Sequence, residues 1–266
     1  MVNKTITQGI IILVLFFGIW FGLSRLDFMR YFHVSEARNN TEKKLGDLIW
    51  GQISETETII KNDSVIKTVD KLIVPICEKN GIQRDSLKIH IIKNEEVNAF
   101  ALPDNHLVIY TGLINKCDKQ EAFQGVIGHE IAHLENNHVM KKLSKEIGLS
   151  VLLTATTGRE AGTVLSEIFH LLSSSAYDRS LEEEADRQSV DYLIKANIDP
   201  APLADFMYQL SMEHKLPDNF YWISTHPESE ARAKKILHHI KGKKIKKQQI
   251  LKDEEWLDFK KITDTL

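Results

Sequence analysis

The chain has 266 residues, 34 Lys and Arg against 37 Asp and Glu, and a net charge of −3. That near balance, with none of the usual nucleic-acid motifs, points away from nucleic acid as a partner. Two cysteines, Cys77 and Cys117, are too few for a disulfide framework.

Ile6 to Leu23 is an uncharged, almost wholly apolar run. Its length is near the lower limit for a membrane-spanning helix and exceeds a signal-peptide core. Ser24-Arg25-Leu26-Asp27 follows with no small-x-small cleavage site. We read the run as an uncleaved anchor, with a cleaved signal second and a buried helix third. Lys4 on one side and Arg25, Asp27 and Arg30 on the other leave the orientation open.

Tyr31 to Glu78 carries apolar residues at helical spacing. Asn62-Asp63-Ser64 divides it into two helices, and Asn80-Gly81 closes the second. Leu87–Lys93 reads as a strand, and Asn98–Leu102 as an extended stretch. Pro103-Asp104-Asn105 makes a turn, and His106–Thr111 returns, so a small sheet precedes the helical part. Helices are then expected over Gln120–Met140, Leu143–Thr157, Ala161–Ser175, Ser180–Ala196, Ala201–His214 and Glu228–Ile240, with a loop at Pro217–His226. The class is α+β and mostly helical. Residues 1–30 form the anchor and its flank, 31–240 the main domain, and 241–266 a basic tail.

The chemistry starts at His129-Glu130-Ile131-Ala132-His133. A helix turns about 100° per residue, so both imidazoles share a face and can hold one zinc ion. Glu130 can reach a water held by that metal and act as general base. Gly125 and Gly128 permit close approach by neighbours. His138, nine positions after His129, falls on the opposite side of a continuous helix and is given a supporting role.

A third ligand is needed. Ser180 and Glu183 have capping-box spacing, so a helix starts there and carries Glu182 and Asp186 on one face. Glu182 can ligate zinc, and Asp186 can orient a ligating histidine through its free ring nitrogen. Without the histidine pair, the same residues would read as an acidic first turn complementing the helix dipole.

HExxH followed about fifty residues later by Glu182-Glu183-Glu184-Ala185-Asp186 resembles metallopeptidase family forty-eight, the HtpX-like and CAAX-prenyl-protease family of the gluzincin clan. The likeness is to its single-domain envelope subgroup and runs from about Glu42 to Leu237. Asn98-Ala99-Phe100-Ala101-Leu102-Pro103, Tyr110-Thr111-Gly112-Leu113 and Thr225-His226-Pro227 with Arg232 resemble further family segments.

The resemblance implies a zincin-type domain with one Zn2+ per chain on His129, His133 and Glu182. It makes Glu130 the base and Asp186 the orienting carboxylate. Asn98, Ala99, Phe100 and Ala101 form a sheet edge where a substrate strand adds. His226, supported by Arg232, stabilises the oxyanion. Two departures stand out: Asp104-Asn105 replaces the family's glycines, and Tyr177-Asp178-Arg179 stands where Tyr-Ser-Arg is common.

The expected protein is a zinc metalloendopeptidase, anchored by one N-terminal helix with its domain on the periplasmic or outer side. Polypeptides are its substrates, and envelope protein quality control is its implied setting. A non-catalytic polypeptide-binding chaperone or scaffold and a zinc hydrolase for a non-protein amide are the alternatives.

Overall fold

The computed structural model describes residue 13 and residues 34–148, 151–152, 161–212, 222, 225–227 and 229–266. The Ile6–Leu23 run, apart from Leu13, lies outside the described residues, as does most of Pro217–His226. Among the described residues no helix is long and apolar enough to cross a membrane. The chain divides into two compact units, Met1–Thr41 and Glu42–Leu266, and nearly all of the described residues belong to the second.

Helix α1 (Val34–Thr56) enters that unit at Glu42, and α2 (Asp63–Asn80) follows. Asn62 caps α2 by accepting from the amides of Ser64 and Val65, and Gly81 ends it at φ 71°. Val65, Val69, Leu72, Ile73 and Ile76 form the apolar stripe that α2 buries.

Three strands come next: β1 (Lys88–Ile92), β2 (Ala99–Leu102) and β3 (His106–Tyr110). Their order is β1-β3-β2, with β1 parallel to β3 and β2 antiparallel to it. The expected hairpin is present. Asp104 and Asn105 both take a φ of 59°, a left-handed conformation that Asp and Asn tolerate, so the turn forms without glycine.

The helical part comprises α3 (Thr111–Lys116), α4 (Gln120–Glu135), α5 (His138–Glu146), α6 (Ala161–Ser174), α7 (Arg179–Lys195), α8 (Ala201–Met212), α9 (Ser229–Ile240) and α10 (Asp253–Thr265). Helix α4 is the axis of the unit, with Gln120 to Leu134 all buried. A Cβ on Gly125 would lie 2.7 Å from that of Leu203, and one on Gly128 would lie 3.0 Å from Ser189 Oγ. These two glycines therefore let α7 and α8 close on α4, and Ser189 Oγ donates to the Gly125 carbonyl at 2.7 Å.

Three helical expectations need correction. The single helix over Gln120–Met140 breaks at Asn136-Asn137, where Asn137 adopts φ 55° and α5 starts in a new direction. The helix expected over Leu143–Thr157 does not start at Leu143, which lies inside α5; α5 ends at Glu146, Gly148 takes φ 87°, and most of 149–157 lies outside the described residues. Helix α7 begins at Arg179 behind Asp178, so Ser180 is its second residue and not its cap. The Asp178 carbonyl accepts from the amides of Leu181 and Glu182, while its carboxylate pairs with Lys145.

The end of the chain is docked. Trp256 and Phe259 are buried, with Trp256 Nε1 donating to the Asp118 carbonyl and its ring beside Phe123. Gln120 bonds both ways to Leu251. The lysines from Lys241 to Lys247 are exposed.

Candidate metal centre

Consecutive turns of α4 place His129 and His133 on one face, with Nε2 atoms 2.9 Å apart. Helix α7, seated on the glycine face of α4, brings Glu182 to them. Glu182 Oε1 is 3.3 Å from His133 Nε2, and Oε2 is 3.6 Å from His129 Nε2. Asp186, one turn further along α7, puts Oδ1 3.0 Å from His129 Nδ1. The approach is an ion-pair contact without hydrogen-bond alignment, and it leaves the other ring nitrogen toward Glu182.

His226 joins this group. Its Nδ1 is 2.9 Å from Glu182 Oε1 and 3.2 Å from His129 Nε2, and its Nε2 is 3.3 Å from Glu130 Oε1. Donor atoms of His129, His133, Glu182 and His226 all lie within 4.8 Å of one another. Arg232 forms a fork on Asp186 through Nε at 2.7 Å and Nη2 at 2.6 Å. Its Nη1 reaches Glu182 Oε2 at 2.8 Å and the His226 carbonyl at 2.9 Å. One guanidinium thus ties together both α7 carboxylates and the His226 segment.

Glu130 points to the same pocket and is fully buried. Its Oε1 accepts from Trp222 Nε1 at 3.2 Å, and its Oε2 has no hydrogen-bond partner among the described residues. Oε2 is therefore free to take a proton from a reactant.

The electrostatics follow from burial and charge. Burial pushes the His133 imidazole down to about 3, which keeps it neutral and its lone pair available. Burial acts against the charged form of Glu182, but His226 and Arg232 outweigh it and hold the carboxyl well below the usual range. Asp186 is lowered in the same way, with Arg232 overcoming burial. Burial also opposes protonation of His226, yet Glu182 and Glu130 together raise it to about 9.

The donor set fits zinc. Two imidazoles and a carboxylate on two rigid helices are the ligands that zinc takes when one coordination position stays open. Three carboxylates, of Glu130, Glu182 and Asp186, face the one guanidinium of Arg232. Even with His226 protonated beside Arg232, the three carboxylates leave a net negative charge that a bound cation offsets.

Family comparison agrees with this geometry. Residues 60–240 match the model of peptidase family M48. The chain belongs to peptidase family M48. The M48 match covers β1 to β3 and all the donors, from α4 to the end of α9. The chain is 28% identical over 209 residues to the mitochondrial metalloendopeptidase OMA1 of Bos taurus, covering 70% of this chain and 39% of that protein. It is 28% identical over 174 residues to the metalloprotease LoiP of Escherichia coli, covering 63% of this chain and 68% of LoiP. It is 23% identical over 211 residues to the beta-barrel assembly-enhancing protease of Escherichia coli, covering 72% of this chain and 42% of that protease. The chain thus spans about two-fifths of the length of the first of these relatives.

The residues expected at the site fall in three groups. His129, Glu130, His133, Glu182, Asp186, His226 and Arg232 converge, with His226 among the donor atoms and not beside them. His138 does not face away: the break after Asn136 turns it back, so its Nδ1 lies 3.0 Å from His133 Nδ1. Its supporting role is thereby given a contact. Ala99, Phe100 and Ala101 lie on edge strand β2 but are buried. Helix α6 packs there, with Phe169 edge-on to Phe100 and the Ser173 carbonyl accepting from Asn98 Nδ2 at 3.3 Å.

Two site residues escaped sequence reading. Trp222 holds Glu130, and Tyr177 stacks on His133 with ring centres 4.2 Å apart. The signal available for Trp222 was a large aromatic one helical turn before His226. Tyr177 stood in a recognised segment without an assigned task.

Proposed function

We propose that the chain is a zinc-dependent metalloendopeptidase that hydrolyses peptide bonds in protein substrates. The observation that carries this reading is the convergence of His129, His133 and Glu182 on one point, with the free oxygen of Glu130 facing the same pocket. His129, His133 and Glu182 would hold one Zn2+. Bound there, zinc would supply a Lewis acid that acidifies water and polarises the peptide carbonyl.

The chain's own residues do the rest. Trp222 fixes one oxygen of Glu130, and the other takes a proton from water and delivers it to the leaving amine. Asp186 keeps His129 in the tautomer that presents Nε2, and Arg232 keeps Asp186 in place. His226, with Arg232 behind its carbonyl, donates to the developing oxyanion once it turns out of the donor group. Entry of a substrate strand beside Asn98, Ala99, Phe100 and Ala101 requires α6 to yield that edge.

The apolar run Ile6–Leu23 supports a single N-terminal membrane anchor, with residues 31–240 as the peptidase domain and 241–266 as a basic extension. The name of the beta-barrel assembly-enhancing relative supports a place in envelope protein quality control. The catalytic domain is then on the periplasmic or outer side. A polypeptide-binding scaffold on the same fold is disfavoured by the buried Glu130, which such a protein would not need.

Glu130→Gln tests the chemistry. The zinc-loaded variant should keep its metal and lose at least about a thousandfold in casein hydrolysis, within the range that a base contributes. Undiminished hydrolysis by that variant would remove Glu130 from the mechanism.

A further inference from the structure

Of the described lysines and arginines only two are buried, Arg232 and Lys142. Arg232 is occupied at the metal centre. Lys142, on α5, takes no part in the chemistry above. Its Nζ donates to the Ser175 carbonyl and lies 4.2 Å from the centre of the Tyr177 ring. The same ring stacks on His133 at 4.2 Å. Two steps of that length separate the ammonium from a zinc ligand.

Burying an ammonium without a carboxylate partner is costly, and a methionine would fill the same space. An ammonium has three protons to donate. Ser175 accepts one and the Tyr177 face attracts another. The third is left for an acceptor from outside. Burial pushes Lys142 down to about 8, with Glu182 and Glu130 supporting its charge from a distance.

Lys142 also lines a cavity of about 160 Å³ with Lys141, Lys145, Ala176, Asp178 and Leu181. Lys145 is paired with Asp178 on this rim. Glu146 is the cavity's other carboxylate, so three ammonium groups face two acids. The space accommodates a short acidic side chain. The two 4.2 Å steps bound the distance from Lys142 Nζ to the His133 ring centre, a span of roughly two to three residues of extended peptide at about 3.3 Å each.

We propose that Lys142 forms the base of a specificity pocket that takes an aspartate or glutamate side chain of the polypeptide substrate. The proposal rests on the peptidase reading above and adds the kind of residue that the substrate presents.

The test uses the full-length zinc-loaded protein and quenched peptides carrying Glu or Gln at each position from four before to four after the cut. At one position two or three residues from the bond, kcat/KM should favour Glu by about tenfold, as a buried charge-assisted hydrogen bond implies. Lys142→Met should bring that ratio close to one, because the Glu peptide loses more than the Gln peptide. Lys142→Arg, which keeps the charge, should retain a preference for Glu even if the methionine variant folds poorly. No preference at any position in the wild type overturns the proposal, as does an equal loss on both peptides in Lys142→Met. Binding to the zinc-loaded Glu130→Gln protein, read by fluorescence anisotropy, separates this pocket from the chemistry. Tighter binding of the Glu peptide upholds the pocket even if turnover fails, whereas equal affinities remove it.

Discussion

Among the described residues two histidine clusters have opposite electrostatic designs. At the first, His129, His133, His226 and Glu182 turn their donor atoms inward, deep in the fold. At the second, His106, Asp47 and Asp104 are also near enough to share a cation. There, however, Lys88 supplies one: its Nζ is 2.5 Å from Asp104, 3.2 Å from Asp47 and 3.0 Å from His106 Nε2. Burial works against the Lys88 charge, but the bonds to Asp104 and Asp47 win and raise its affinity for the proton. His90 completes the group, hydrogen-bonded to His106 at 3.0 Å and stacked on Trp50. A cluster that contains its own ammonium fastens α1 to the sheet. One that presents several lone pairs to a common point calls for a metal ion.

The largest effect expected from this contrast is at the first cluster. His133→Ala should reduce zinc affinity by at least about a thousandfold, since removing one of three ligands leaves an incomplete site. Competition with a chromogenic chelator measures it, and near-normal affinity would break the contrast. Asp186→Asn should cost about ten- to a hundredfold in zinc affinity or activity, as expected for a group that orients a ligand. The same titration and a casein assay read that loss.

At the second cluster, Lys88→Met should leave zinc content unchanged. It should lower stability by no more than about 1 kcal/mol, because the Lys88 and Asp47 side chains are 37% and 53% exposed. Urea denaturation provides the comparison, and loss of zinc there would contradict the separation of roles.

A further effect concerns pH. Burial pushes His90 down to about 3 and His106 down to about 4. Unfolded imidazoles accept a proton near 6.5, so the unfolded chain binds more protons between that value and the folded ones. Stability contributed by these two neutral rings is complete above pH 6.5 and declines as pH falls toward 4. His90→Gln should flatten the slope of the urea midpoint against pH in this window. An unchanged slope would remove His90 from the account.

How much of this was legible follows from what each feature depends on. The imidazole pair, Glu182 and Asp186 are set by helical spacing, which is local, and the glycines of α4 announce a close helix contact. The β2–β3 hairpin was equally readable from Pro103-Asp104-Asn105. The break at Asn136-Asn137 was not, because only tertiary packing decides whether an asparagine takes the left-handed conformation or continues the helix. Covering of β2 by α6 and docking of α10 through Trp256 depend on partners distant in sequence. His226 was assigned to the site, but its position among the donors depends on Arg232, which holds its carbonyl from the next helix.

The central claim is that these side chains bind one catalytic zinc. Metal analysis of the purified full-length protein, paired with X-ray absorption at the zinc edge, tests it most directly. The account predicts one zinc per chain with nitrogen and oxygen ligands only, kept in Glu130→Gln and lost in Glu182→Ala. Zinc that persists at full stoichiometry in a His129→Ala, His133→Ala double variant would contradict it.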